Sequence, residues 1–472
     1  LDIAGAIKVL TAGRKVMEPR HVEEFKVLLG EQNVTQDRDF VKRFFKTLPR
    51  NADITVLRPP THEQLGLAAN YAYEKDIPIF THKRGFLGEE VATSGGVLID
   101  LTNMNKVRRI DEPNLLAFIE YGVTFEEMKK ALDPMGLRIL MPASATSPSI
   151  VRSYVDRDVI LANGATRPYQ ISIFHAILAD GRIWMSGNDQ LTPDGHSEFR
   201  EDFGPMYSYF FHASEDIFGM PYAGKVFIYK RWEKRKVTAY GFNEFEGAIR
   251  AAYESSRHDQ VFECVVADSK YLSVLLAKSS DEADQLASKL APWNVVFGFD
   301  NHEKLVDVWD KQTAQICAKH GGGQTWDELS EIMLERFEYP WYLRDRDHYR
   351  GHTETIDYFT FAGKTKSLFA EVDRTLDGYE KGHVAIPSYY GAAFYCETNI
   401  YCEPDDPNLE KVWFDAYMKA LDMGAHVGRP RGKVAEVIYE RIDPENIRMI
   451  KNLKRVLDPK GLLNRGQLLE GV

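Results

Sequence analysis

The sequence predicts an α+β protein made of two folding units, and three observations carry that reading. A strand, a helix and a second strand follow one another between residues 52 and 80. Further on, the apolar run Ile173 to Leu178 is closed by Asp180-Gly181 and continued by Arg182-Ile183-Trp184. Asp-Gly between apolar runs is a strong hairpin signal. From about 236 to 421, strand-like runs alternate with amphipathic helical patterns, which predicts an antiparallel sheet with flanking helices.

At 472 residues, with 44% hydrophobic and 27% charged residues, the chain is long enough for two or three domains. Its net charge of −11, with no basic block, excludes a nucleic-acid partner. No apolar run approaches the roughly 18 residues of a membrane span. Cys264, Cys317, Cys396 and Cys402 form no CxxC pair, which argues against a zinc or iron–sulfur site. They read as reduced thiols and predict a cytoplasmic setting. No signal peptide is visible, but a first residue of Leu leaves a processed N-terminus and a periplasmic location open.

In chain order, residues 1–50 read as an N-terminal arm of two helices, the run Val22 to Leu29 stopping at Gly30. The strand Ala52–Leu57 ends at Pro59-Pro60. Thr61 caps a helix to about Lys75, with Gln64 at the capping-box position and Leu65, Ala68, Ala69 and Ala72 on one face. The strand Ile77–Phe80 feeds the loop Thr81–Gly88. There Gly85 and Gly88 can bring backbone N–H groups to an anion, while Lys83 and Arg84 add charge. Thr124 caps a helix over Phe125–Leu132. Lys225–Tyr229 is a strand leaving this unit. Helices are expected at 243–256, 281–291 and 302–319, strands at 261–266 and 295–299, and loop-rich chain over 322–385. A late strand covers 391–401, and Ile447, Ile450 and Leu453 stripe a C-terminal helix.

Several runs together resemble the vanillyl-alcohol oxidase / p-cresol methylhydroxylase (PCMH-type) flavoprotein family. They are Gly96–Val107, Phe118–Thr124, Ser149–Val159, the Ile177–Gly181 hairpin, Gly219-Met220 and Leu457–Gly466. The resemblance covers roughly 52–230 and 435–470 and is diffuse between them. It implies a two-subdomain FAD-binding domain at 51–235, a cap or substrate domain at 236–421, and a return to the FAD-binding domain at 422–472. It implies FAD, held at Arg84, Gly85, Gly88, Pro142, Ser149, Ile150, Arg152, Arg157, Gly219, Met220 and Asn464. Tyr395, Tyr390, His426 and Arg429 are the catalytic candidates, Tyr395 also for a covalent flavin link. The carboxylate of the phenol oxidases falls near Ser144, so that base is missing. Gly382-His383 lacks a second histidine, so no metal is expected. His175 reads as a core histidine.

Two functions are open at this point. One is an FAD-dependent oxidoreductase that passes a hydride from a small alcohol, phenol or 2-hydroxy acid to flavin, with an electron-acceptor protein or oxygen downstream. The other is a flavin-free, silent relative serving as a structural or regulatory subunit of a larger complex. Its warrant is Lys83, Arg152 and Asp158 at glycine-like places. A guanidinium cannot share the space of a backbone-hugging pyrophosphate, although a shifted loop would make Arg152 a phosphate partner. The surroundings of Arg152 discriminate: turned inward and paired with Asp156 or Asp158, it fills the pocket itself. An oligomer is expected under either reading.

Overall fold

The computed structural model describes residues 17–468 apart from 46–47, 83–88, 144–146, 164–169, 193–196, 198–203, 258–259, 342–351, 404–405 and 431. After helix α1 (Pro19–Leu29), a small sheet forms from β1 (Val34–Thr35), β2 (Thr55–Leu57), β3 (Ile79–Thr81) and β4 (Val97–Ile99), in the order β1-β2-β4-β3. Strands β2, β4 and β3 are parallel. Parallel neighbours need a crossover, and α2 (His62–Glu74) supplies the one between β2 and β3. It starts where expected because Thr61 Oγ1 accepts the Gln64 N–H. The C-terminal segment lies along β3: Ile79 N donates to Leu462 O, and Asn464 N donates to Ile79 O.

The second sheet is antiparallel, ordered β5-β6-β10-β8-β9. Its strands are β5 (Val107–Asp111), β6 (Leu116–Glu120), β8 (Ile171–Ile177), β9 (Ile183–Met185) and β10 (Met220–Phe227). Lys225 thus belongs to a central strand of this sheet. The Asp180-Gly181 hairpin is present, but its closing pair is Leu178 N to Arg182 O, with Gly181 left-handed at φ 84°. That makes a three-residue loop rather than a two-residue turn. A capping box between Thr124 and Glu127 starts α3 (Phe125–Leu132), followed by the short β7 (Leu137–Arg138) and then α4 (Ile150–Val155), a helix capped by Ser149.

The short β11 (Tyr229–Lys230) pairs with β7. The third sheet has six antiparallel strands in the order β12-β14-β13-β16-β17-β15. These are β12 (Lys234–Phe242), β13 (Glu263–Asp268), β14 (Trp293–Asn301), β15 (His352–Thr360), β16 (Glu380–Ser388) and β17 (Ala393–Cys402). Helices α5 (Phe245–Ser256), α6 (Ser280–Lys289) and α7 (Glu303–Lys319) fall as expected. The span 322–385 does not: it holds α8 (Leu329–Phe337), β15, α9 (Ala362–Thr375) and most of β16. Burial explains this, since Ile356 and Tyr358 alternate inward on β15 and Leu368, Phe369 and Val372 share one face of α9. Two core clusters fill the first two sheets and others fill the third.

Candidate cofactor and active site

Open sheets with parallel strands take ligands outside the carboxyl ends of those strands. Here the ends are Leu57, Thr81 and Ile99. Asn464, left-handed at φ 46° and fully buried, fastens one of them. Its Oδ1 accepts from Thr81 N at 2.9 Å, and its Nδ2 donates to Thr81 Oγ1 at 2.9 Å. Thr81 Oγ1 in turn donates to Asp216 Oδ2 at 2.9 Å. Ser149 Oγ donates to Tyr121 O and accepts from Arg152 N, so α4 is seated on the same floor. Arg152, only 1% exposed, points inward. Its Nε donates to Asp156 Oδ2 at 2.7 Å and its Nη1 to Asp216 Oδ2. Its Nη2 is buried and has no hydrogen-bond partner among the described residues. The turn that delivers Asp216 is strained: Ala213, Glu215 and Asp216 have φ of 52°, 56° and 53°.

A second ion pair adjoins the first through the turn that ends α4. Arg157 is left-handed at φ 59° and donates to Gly428 O at 3.0 Å. Asp158 is buried, accepts from Ser153 Oγ at 2.7 Å, and pairs with Arg429. Arg429 Nη1 also donates to Asp156 O at 3.2 Å. Burial alone would lower the proton affinity of both guanidiniums. Asp156 and Asp216 outweigh it at Arg152, and Asp158 outweighs it at Arg429, so both are held above their ordinary values. Burial, helped by the Arg152 charge, pushes His82 down to about 4, so its imidazole is neutral at pH 7. Burial also raises the Tyr121 phenol, whose hydroxyl donates to His82 O.

The other expected site residues fall as follows. Tyr395 is buried, its hydroxyl donates to Glu397 at 2.9 Å, and burial with Glu397 raises its phenol well above the ordinary value. It packs on Phe359, whose backbone pairs with His426, and Arg429 acts on it electrostatically. Tyr395, His426 and Arg429 therefore share one neighbourhood. Tyr390 is apart, exposed on the turn between β16 and β17 at φ 57°, where its N–H donates to Asn163 O. Pro142 is bridged to Ile160, Ile150 lies in the core, and Met220 opens β10 opposite Ile177. Gly219 is packed so closely that an added Cβ would sit 2.9 Å from the Phe211 ring. Arg84, Gly85, Gly88, Lys83 and Ser144 lie outside the described residues. Sequence reading missed Thr81, Tyr121 and Asp216. Only the left-handed turn identifies Asp216, and that signal is structural.

FAD's pyrophosphate needs open backbone N–H groups or cations with donors to spare. Among the described residues Arg152 is such a cation: two of its three nitrogens are committed to carboxylates and Nη2 is not. Asp158 is bound to Arg429. The Arg152–Asp156 pair named from the sequence is present, with Arg152 turned inward, while residues 83–88 lie outside the described residues.

Elsewhere, a cavity of about 20 Å³ lies among Lys129, Arg138, Arg231, Arg235, Glu263 and Glu338. That is room for one water, not for a substrate. Among the described residues no cluster of His, Cys, Asp and Glu could hold a metal ion, and no helix is long and apolar enough to cross a membrane.

Comparisons with known proteins bear on both halves of the chain. A model of the FAD binding domain matches residues 54–184, and a model of the C-terminal domain of FAD linked oxidases matches residues 231–468. A D-lactate dehydrogenase of Anaerostipes hadrus is 23% identical over 487 aligned residues, covering 95% of this chain and 97% of the relative. Among solved structures, a 4-ethylphenol oxidase from Gulosibacter chungangensis in complex with isoeugenol superposes with a TM-score of 0.80 at 17% identity, covering 96% of this chain and 97% of that one. p-Cresol methylhydroxylase with substrate bound superposes with a TM-score of 0.79 at 18% identity, covering 96% of each. These two likenesses establish the fold, a PCMH-type FAD-binding domain followed by a domain built on an antiparallel sheet.

Proposed function

This chain belongs to the FAD-linked oxidases, an oxidoreductase family whose cofactor is FAD, and we propose that its electron donor is a small 2-hydroxy acid or phenol. The observation that carries the reading is the near full-length match to a D-lactate dehydrogenase, which spans both family models. Phenols enter as donors because the two structural neighbours named above act on or bind them. The donor would meet the neighbourhood of Tyr395, His426 and Arg429, which come from β17 and the segment after α10 (Leu409–Asp422), with the Tyr395 and His426 rings each packed on Phe359. Within this reading the chain divides into an arm at 1–50, an FAD-binding domain at 51–235 with a return at 422–472, and a cap at 236–421. An electron-acceptor protein or a companion subunit takes the electrons onward, and the protein assembles as an oligomer. Three buried free thiols support a reducing, cytoplasmic setting.

The second reading, a catalytically silent subunit, is favoured by one observation: Arg152 and Asp158, both at glycine-like places in the sequence, are held in ion pairs. An absorbance spectrum of the native protein, then anaerobic titration of the FAD-loaded protein with D-lactate and with 4-ethylphenol, separates the two. Bleaching of the flavin band by one donor class supports the oxidoreductase and selects the class. A folded protein that takes up no FAD supports the silent subunit.

A further inference from the structure

Beside the second sheet the chain carries an apolar face that stays exposed. After Gly204, left-handed at φ 70°, and Pro205, a single turn of 3₁₀ helix runs Tyr207–Phe210. Side chains three residues apart on such a turn lie one above the other, so its surface divides into three ridges. Ser208 and Phe211 form the buried ridge, 1% and 4% exposed. The Phe211 ring stacks on Trp184 of β9 with centroids 4.5 Å apart, and it meets Phe174 of β8 edge-on at 5.3 Å. A surface helix ordinarily turns polar groups outward. Here the two outer ridges are Met206 with Tyr209 and Tyr207 with Phe210, and these four are 41, 38, 58 and 43% exposed.

Single exposed apolar residues are ordinary, but four on adjacent ridges make a patch. At about 200 Å² for each side chain fully exposed, their exposed fractions amount to about 350 Å². One side of a standard protein interface covers about 800 Å², of which about 60% is apolar, so the patch supplies most of that apolar share. Its charge narrows the occupant. Gly204 to Ser214 holds no Asp, Glu, Lys or Arg, in a chain of net charge −11. The histidine within it, His212, is pushed down to about 4 by burial and is neutral at pH 7. An anionic lipid surface or an acidic protein is drawn by cations, which this face lacks. Two copies of an acidic chain repel each other over most of their surface, and least where both are uncharged. A face that meets its own image across a two-fold axis must be self-complementary, and rings that pack offset or edge to face meet that condition.

We propose that Met206, Tyr207, Tyr209 and Phe210 are the contact face of a two-fold dimer of this chain. The inference gives the oligomer of the proposed function a surface and rests on that part of the reading alone. The buried ridge holds the outer rings in place before contact, so little side-chain freedom is lost when two faces meet.

The test is sedimentation equilibrium of the full chain at micromolar concentrations, with far-ultraviolet circular dichroism to verify folding. A dimer has twice the 53.9 kDa mass of the chain. The variants are Tyr207→Glu with Phe210→Glu, and Tyr207→Lys with Phe210→Lys. Both positions are exposed, so both variants should fold. The wild type is expected to be a dimer, and each variant to dimerise at least about thirtyfold more weakly. An equimolar mixture of the two variants is expected to recover the dimer, because on a two-fold face each new carboxylate meets an ammonium of the other copy. A dimeric wild type whose variants are equally dimeric overturns the face and leaves the oligomer standing. Variants that dissociate separately and stay apart when mixed overturn the two-fold arrangement. A monomeric wild type overturns the face and the oligomer together, and none of these results touches the oxidoreductase reading. Flotation of that monomer with phosphatidylcholine vesicles would give the patch to a lipid surface, and failure to float would give it to a different protein.

Discussion

Replacing Glu338 by Gln should destabilise the protein in a way that depends on pH, because this carboxylate joins the two halves of the chain. It follows α8 and faces Lys129 from α3, Arg231 from the connection and Arg235 from β12. Lys129 Nζ and Arg231 Nη2 each lie 2.9 Å from Oε2, and Arg235 Nε lies 3.0 Å from Oε1, an ion-pair distance without hydrogen-bond alignment. Burial alone would raise the carboxyl, but Arg231, Arg235 and Lys129 outweigh it and hold it at about 2 against the usual 4.5. A depressed carboxyl stabilises the folded state above its unfolded value and ceases to do so as pH falls through its folded one. At about 1.4 kcal/mol per pH unit, the gap corresponds to about 3 kcal/mol at pH 7 and about half that at pH 3. The side chain is 18% exposed, so solvent screening takes a share. Urea unfolding of wild type and E338Q at pH 7 and pH 3, at matched ionic strength, checks this. E338Q should be about 2–3 kcal/mol less stable at pH 7, with the gap roughly halved at pH 3. A gap under about 0.5 kcal/mol at pH 7, or one of equal size at both pH values, would refute the reasoning.

Two further outcomes follow from buried groups. Cys264, Cys317 and Cys396 are buried, and burial raises all three thiols, Cys317 to about 12, while Cys402 is only half-buried. A native protein treated with a chromogenic disulfide at pH 8 should therefore release at most one equivalent rapidly and four after denaturation; two or more fast thiols in the native state contradict the packing. Lys225 pairs with the fully buried Asp189, which also takes His175 and Ser197 N–H. Lys225→Met should cost about 3–5 kcal/mol in urea unfolding, and adding Asp189→Asn should return part of it. A single variant as stable as the wild type, or a double variant worse than the single, would sink the account.

The parallel sheet was legible because its signals are local. Pro59-Pro60, the Thr61 cap and the apolar runs around Val56, Ile79 and Leu98 each act within a few residues. The Thr124 cap and the helices of the second half were legible for the same reason. The span 322–385 was not, because β15 and α9 owe their burial to pairing with β17 and packing on α10, both reached only after further chain. The hairpin loop was misjudged by one residue, since Asp180-Gly181 fits a two-residue turn and a three-residue one equally until the flanking register is known.

The site divides in the same way, and the division bears on what its charges mean. Arg152 and Asp158 stood out in the sequence because charged side chains replace small ones, but their partners lie far along the chain: Asp216 is 64 residues from Arg152, and Arg429 is 271 from Asp158. No local pattern announces either. A charge left behind by the decay of a disused pocket would be buried alone, at a cost of several kcal/mol, or would turn out to water. Neither has happened here. Arg152 and Asp158 each meet an opposite charge, and the Asp156 turn joins the two pairs.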